Sequence, residues 1–401
     1  MAEKMKRILI FSHALELGGA ERALIGLLHA LDYERVQVEL FLMRHEGELM
    51  GQIPEQVILL PEKPQYASLA VPMKRVLQKG QFGVAMGRFL GKQAAKRRER
   101  KLEITSGSVI ALEYSHKYTR AFMPLVGEWE YDLAVSFLTP HYFVAEKVHA
   151  KKKIAWIHTD YSKINLDRES ELAMWSCYDH IAAISDAVGA CFAQVFPELR
   201  DRLVNIENIL PVGIIRSAAE AACPVDFQRN SALRILSIGR YCDAKNFDNV
   251  PDICRRIRQT GLNVKWYLIG FGGDEDLIRR KIAESGMEEH VIMLGKREDP
   301  YPYIAHCDLY VQPSRYEGNS VTVREAQVLG RPVVITRYAT SASQLEDGVD
   351  GVIVPMDNEG CAAGIAALLK DPVKMKKLSE ACRRGDYSNA GQAEKLMKLW
   401  K

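Results

Sequence analysis

The chain reads as an α/β protein made of two Rossmann-like domains in tandem. Its 401 residues are too many for one ordinary core. Short apolar runs alternate with helical runs throughout, the pattern of parallel sheets with crossover helices. The alternation breaks once, from Pro211-Val212-Gly213 to about Asn230. That stretch has a proline, a glycine, small residues and no period, and reads as a linker. Two such domains place a ligand at a cleft between the carboxyl edges of two facing sheets.

In the first half, Arg7 to Ser12 reads as a strand, Gly18-Gly19 as a break and Ala20 to Leu31 as an amphipathic helix. Val36 to Leu42, Val57 to Leu60, Asp132 to Phe137, Lys153 to Ile157 and His180 to Ile184 follow as strands. Ser185-Asp186 caps the helix after the last of these, and Ile206 to Ile209 reads as the closing strand. In the second half, strands are expected at 233–238, 264–269, 291–294, 308–312, 332–335 and 351–354. Helices are expected at 250–259, 274–284, 322–329, 341–345 and 358–369, and the tail from Lys374 is helical and basic. The organisation this implies is an N-terminal domain over 1–212, a C-terminal domain over 213–384 and a final helix over 385–401.

Hydrophobic residues make up 47% and charged residues 26%, as in ordinary globular proteins. No apolar run has the length of a membrane span, and the start of the chain lacks a signal-peptide pattern. Eight scattered cysteines with no C-x-x-C pair fit free thiols in a reducing cytoplasm.

Net charge is only +3, yet it is unevenly spread. Lys74, Arg75, Lys79, Arg88, Lys92, Lys96, Arg97, Arg98, Arg100 and Lys101 face the single acid Glu99 across segment 74–101. Apolar residues are interleaved among them. Such a segment suits an anionic membrane surface, or equally a solvated helical face. No nucleic-acid-binding motif accompanies the charge.

The densest chemistry lies in Tyr316-Glu317-Gly318-Asn319-Ser320-Val321-Thr322-Val323-Arg324-Glu325. Two carboxylates are separated by seven residues at a strand–loop–helix junction. Glu317 on the loop can accept hydrogen bonds from sugar hydroxyls. The amides of Asn319, Ser320 and Val321 open a helix and can face a diphosphate. Glu325, two turns into the helix, can chelate the vicinal hydroxyls of a ribose. Upstream, Gly239-Arg240 ends a strand and Lys245 precedes the next helix. An arginine fork and a mobile lysine suit a departing diphosphate. Gly18-Gly19 after the first strand can approach a phosphate without a Cβ clash, but it is not the dinucleotide fingerprint. Asp274-Glu275-Asp276 mimics a metal-binding acid pair, yet it opens a helix, where acids cap. No histidine spacing points to a metal.

On these motifs the second half resembles the retaining glycosyltransferases of family 4, which have the GT-B fold. The resemblance is strongest from Leu233 to Leu369. It implies that Arg240 and Lys245 replace a divalent metal, with no other cofactor. It implies that His158, in Trp156-Ile157-His158-Thr159-Asp160, faces the sugar ring, with Asp160 as its orienting partner or an acceptor contact. Lys296 and Arg297, after the strand at 291–294, fall where members of the family cradle the nucleobase.

The resulting expectation is a retaining transferase moving a hexose or N-acetylhexosamine from a nucleotide sugar, UDP-linked, to a glycan acceptor. The acceptor is a lipid-linked chain of a bacterial surface polysaccharide. The enzyme is expected in the cytoplasm, peripheral on the inner face of the membrane. Two rivals stay open: an inactive sugar-nucleotide-binding partner of another transferase, and a GT-B epimerase.

Overall fold

The computed structural model describes residues 5–104, 108–227 and 231–400. They gather into two compact units. One runs to Ile209 and takes up the segment from Ala390; the other is Leu210–Asn389.

The first unit holds a seven-stranded sheet: β1 Lys6–Ser12, β2 Val36–Leu42, β3 Ile58–Leu59, β4 Tyr131–Ser136, β5 Ala150–Ile157, β6 His180–Ala183 and β7 Leu203–Asn205. All neighbours are parallel, in the order β3-β2-β1-β4-β5-β6-β7. The central strands are apolar on both faces, and Ile8, Leu9, Ile10 and Phe11 are fully buried. A parallel sheet covered by helices on both sides requires that. The helix Gln392–Met397 belongs to this unit: Arg35 pairs with Glu394 at 2.8 Å, and Lys395 donates to the Asn205 carbonyl at 3.2 Å.

The second unit holds β8 Leu233–Ile238, β9 Val264–Ile269, β10 Val291–Gly295, β11 Leu309–Gln312, β12 Val333–Thr336 and β13 Val352–Val354. Their order is β10-β9-β8-β11-β12-β13, again parallel. With β8 counted as strand one, this is the Rossmann order 3-2-1-4-5-6, and the strand order reverses between β8 and β11. A crevice opens outside the carboxyl ends of two strands at such a reversal.

Two sequence expectations need correction. The closing strand of the first half is Leu203–Asn205, not Ile206 to Ile209. Ile206 and Ile209 are buried, so their apolarity signals core contact rather than pairing. The stretch expected to be a linker begins with a helix, Val212–Ala219, and continues to a short turn at Val225–Phe227. Ile215 and Phe227 are fully buried in the core of the second unit. Two isolated anchors in twenty residues leave no periodicity to detect.

Candidate functional site

The reversal between β8 and β11 brings two loops together. The loop after β8 carries Gly239, Arg240 and Lys245; the loop after β11 carries Ser314, Arg315 and Glu317. Asn246 adopts a left-handed conformation (φ +59°), which asparagine tolerates better than most residues, and turns the first loop back. Its side-chain amide donates to the Pro313 carbonyl at 2.9 Å. Arg315 ties the loops from the other side. Its guanidinium forks onto Asp248 at 3.0 and 2.8 Å and also donates to the Asp243 carbonyl at 2.6 Å. Sequence reading missed Asn246, Arg315 and Asp248, because each looks like ordinary turn or surface polarity.

The tied loops put Lys245 Nζ 2.5 Å from Glu317 Oε1. Both side chains are mostly buried, with 19% and 9% of their surface exposed. The lysine stem lies over Gly239, whose absent Cβ would stand 3.2 Å from it. Glu317 is fixed by a chain of hydrogen bonds that starts in the core. Tyr310 donates to Gln312 at 2.8 Å, Gln312 to Ser314 at 3.0 Å, and Ser314 to Glu317 Oε1 at 2.7 Å. The Thr340 hydroxyl holds the Glu317 carbonyl at 2.7 Å. A carboxylate held by a cation and a hydroxyl is oriented before any ligand arrives. Arg240, which follows Gly239 on the first loop, is exposed and makes no ion pair among the described residues.

Other expected donor contacts are placed differently. The helix Val321–Val328 begins at Ser320, but the Ser320 amide is already taken by the Gln344 side chain at 2.6 Å. The amides of Asn319 and Val321 have no such partner among the described residues. Glu325 is 0% exposed and accepts a hydrogen bond from Tyr301 at 3.1 Å. The carboxylate is therefore engaged inside the fold rather than presented at its surface. Arg297 is committed to Asp226 at 2.7 Å and to the Tyr303 hydroxyl at 3.0 Å, rather than presented free. Lys296 lies over the Phe271 ring.

In the first unit, Gly18 caps the helix Gly19–Ala30. A Cβ on Gly18 would stand 2.0 Å from Glu21 Oε2. The helix's own acid therefore occupies the end that was expected to meet a phosphate, and it already complements the helix dipole.

The same unit contains a cavity of about 230 Å³ at the carboxyl ends of β4 and β5. Leu138 and Thr139 after β4, and Trp156 to Thr159 at the end of β5, form one side. Glu113 and His116 on the helix Ile110–Thr119, and Glu171 and Trp175 on the helix Arg168–Trp175, form another. His158 thus lines a real cavity. Its Nε2 donates to the Phe137 carbonyl at 2.9 Å, which leaves Nδ1 as the acceptor nitrogen. Asp160 does not orient it; that carboxylate caps the next turn through Ser162.

Burial sets the charge of these walls. It lowers the His158 pKa to about 4 and those of His116 and His141 to about 3, so all three are neutral at pH 7. It pushes Glu171 up to about 7, helped by nearby Glu113, whose own pKa is raised by burial. Glu171 accepts from the Trp175 indole at 2.8 Å; Glu113 accepts from Tyr142 and from Ser170. Among the described residues, no group of three acids, histidines or cysteines is arranged to hold a metal ion.

Residues 232–371 match the family model described as glycosyl transferases group 1. The amylovoran biosynthesis glycosyltransferase AmsK of Erwinia amylovora is 30% identical over 145 residues, 34% of this chain and 35% of that protein. The N-acetylgalactosamine-N,N'-diacetylbacillosaminyl-diphospho-undecaprenol 4-alpha-N-acetylgalactosaminyltransferase of Campylobacter jejuni is 31% identical over 145 residues, 36% of this chain and 39% of that protein. These matches span well under half the length of either relative. Solved structures align along the whole chain. Anabaena Alr3699/HepE in complex with UDP-glucose superposes with a TM-score of 0.66 at 19% identity, covering 98% of this chain and 100% of that one. S. aureus TarM superposes with a TM-score of 0.69 at 14% identity, covering 99% of each. The shared fold is GT-B.

Proposed function

We propose that the chain is a retaining glycosyltransferase, on the premise that residues 232–371 match the family model described as glycosyl transferases group 1. It transfers a hexose or N-acetylhexosamine from a UDP-sugar to a glycan acceptor in bacterial surface polysaccharide synthesis. The observation that carries this reading is the Lys245–Glu317 pair at the β8/β11 reversal, with exposed Arg240 on the same loop as Lys245. A nucleoside diphosphate-sugar needs cations for its leaving group and an oriented acceptor for its hydroxyls.

When the glycosyl C1–O bond breaks, negative charge grows on the departing β-phosphate. Arg240 and Lys245 neutralise it in place of a divalent metal, and the Val321 amide adds a donor at the helix start. Glu317 releases Lys245 to the phosphate and accepts the sugar hydroxyls. The new bond forms between the acceptor oxygen and C1 on the face the phosphate leaves, and the acceptor proton passes to a phosphate oxygen. Glu325 anchors the ribose after Tyr301 moves aside. The N-terminal unit takes the acceptor in the cavity beside His158, whose neutral histidines and apolar and aromatic walls suit an uncharged sugar ring.

The acceptor is lipid-linked. The Campylobacter relative is named for a diphospho-undecaprenol substrate, and segment 74–101 of this chain is basic. We place the enzyme in the cytoplasm, at an anionic inner membrane face; no helix among the described residues is long and apolar enough to cross a membrane.

The experiment is a UDP-sugar panel with UDP release as readout, with and without a lipid-linked acceptor. UDP release should be strongly acceptor-stimulated and lost in Glu317→Ala, with an axial glycosidic bond by NMR. Acceptor-free conversion into a different sugar nucleotide would mean an epimerase. Binding without turnover would mean an inactive partner.

A further inference from the structure

The helix Phe82–Lys101 has two faces of opposite kind. One is a seam of small residues, Gly87, Gly91 and Ala95, all buried against the helix Ile110–Thr119. A Cβ on Gly87 would stand 2.7 Å from the Tyr118 carbonyl oxygen, and one on Gly91 would stand 2.6 Å from that of Tyr114. The two backbones are therefore in direct contact, and the rotation of the first helix about its axis is fixed.

The opposite face carries Phe82, Met86, Phe89 and Leu90, which are 68%, 53%, 57% and 47% exposed. Their spacing of four, seven and eight residues makes one stripe. Along the same face the stripe passes into Lys96, Arg97 and Arg100, all exposed and without an ion pair among the described residues. Two other cations of the segment have structural partners. Arg98 forks onto Asp167 at 2.8 and 2.8 Å, and Arg88 donates to the carbonyls of Ser68 and Val71. The preceding helix, Met73–Gln78, adds exposed Met73, Leu77, Lys74 and Arg75.

Four large apolar side chains on one stripe are more than scattered surface hydrophobics. We infer that this stripe inserts into an anionic lipid surface, with Phe82, Met86, Phe89 and Leu90 in the acyl boundary and Lys96, Arg97 and Arg100 on the phosphates. The inference rests on the membrane reading above and adds to it a mode of binding, insertion rather than charge alone. Charge complementarity favours lipid as the occupant: three exposed cations continue the apolar stripe and match anionic headgroups, whereas a second copy of the same face offers them no acid, bringing cations against cations when parallel and against the apolar stripe when antiparallel. The cavity points the same way. The helix that receives the glycine seam also supplies Leu112, Glu113 and His116 to the cavity wall.

The test uses the full chain and vesicles of equimolar phosphatidylglycerol and phosphatidylcholine, read by flotation. Insertion predicts that binding persists at molar salt, where the Debye length shrinks to about 3 Å. It further predicts that the partition coefficient falls about tenfold for each of Phe82→Ser and Phe89→Ser. A Phe89→Trp variant should show a blue shift of its added emission on vesicle contact. The exchanged positions are exposed, and circular dichroism verifies that the fold is kept. Binding abolished by salt and indifferent to the serine variants would overturn insertion while leaving the electrostatic membrane reading standing. No vesicle binding at any salt would overturn both. A dimer in sedimentation that dissolves in the serine variants, with no vesicle binding, would assign the stripe to a second copy.

Discussion

Lys245 Nζ and Glu317 Oε1 stand 2.5 Å apart, a cation and a carboxylate from two loops that meet only because β8 and β11 are neighbours. The pair is formed without a ligand. A diphosphate then exchanges one partner of Lys245 for another and frees Glu317 for sugar hydroxyls. Replacing Lys245 with alanine removes a leaving-group cation, and kcat should drop by about 10²–10³. Glu317→Gln keeps the Ser314 hydrogen bond but loses the charge and should lower kcat/KM comparably. Initial rates of UDP release measure both. Rates within twofold of the parent would remove the pair from the chemistry.

Arg240 makes no ion pair among the described residues, so its loss disturbs little of the unliganded fold. Arg240→Ala should leave the urea midpoint unchanged and weaken UDP binding by about 1.5–3 kcal/mol, the worth of a charge-assisted hydrogen bond. Calorimetric titration with UDP reads the loss. A stability loss with intact affinity would make the residue structural.

Arg98 is the reverse case. Its partner Asp167 is 4% exposed and also accepts from Tyr114 at 2.6 Å. Removing the guanidinium strands a buried carboxylate, so Arg98→Ala should cost about 3 kcal/mol. Denaturant unfolding of the N-terminal unit tests it. Lys96→Ala and Arg97→Ala, within the same turn but exposed, should cost nearly nothing.

Glu171 gives the molecule a pH signature. Burial raises its pKa from 4.5 to about 7, with Glu113 adding to the effect. The folded state therefore holds this proton while the unfolded chain releases it. Between pH 4.5 and about 7 this group's contribution to stability falls as pH rises, by 1.36 kcal/mol per unit and so about 3 kcal/mol in all. Glu171→Gln, neutral in both states, should gain on the parent across that window. Urea midpoints at pH 5 and pH 7 measure the difference, and a constant gap between the two proteins would contradict the assignment. The buried histidines act oppositely. His13, His116, His141 and His158, all lowered by burial, withdraw stability as pH falls below 6.5.

Gly91→Ala introduces a Cβ 2.6 Å from the Tyr114 carbonyl oxygen. The helices must part, and we expect about 1–3 kcal/mol of destabilisation despite alanine's better helix propensity. Gly80→Ala is the contrasting control, with nothing within 4 Å but a φ of +69°.

The strands of both units were readable because buried parallel strands are continuous apolar runs. Leu233–Ile238 and Val264–Ile269 fall where the sequence put them. The Glu317 and Glu325 spacing was readable too, but not what covers each residue. Tyr301, which caps Glu325, and Gln344, which takes the Ser320 amide, each lie 24 residues from their partner along the chain. Only the fold brings them there. Glu113 and Glu171 escaped notice for a related reason. On an amphipathic helix an acid reads as solvent face, and nothing local betrays that a second helix buries it. The Gly18-Gly19 loop has the same gap: the glycines announce room for an anion without saying that Glu21 stands at that helix end.

The glycine seam of the Phe82–Lys101 helix also sets a constraint on sequence change. With the backbones touching at Gly87 and Gly91, the phase of the helix is locked to its neighbour. One inserted residue between Leu90 and Gly91 would turn everything before it, Gly87 included, through about 100° relative to Gly91 and Ala95 and so split the seam. The phenylalanines would then swing off the outward side. Lengthening at the basic end, beyond Lys101, leaves that register untouched. Drift among relatives should therefore conserve the phase of this segment and be permissive about its length.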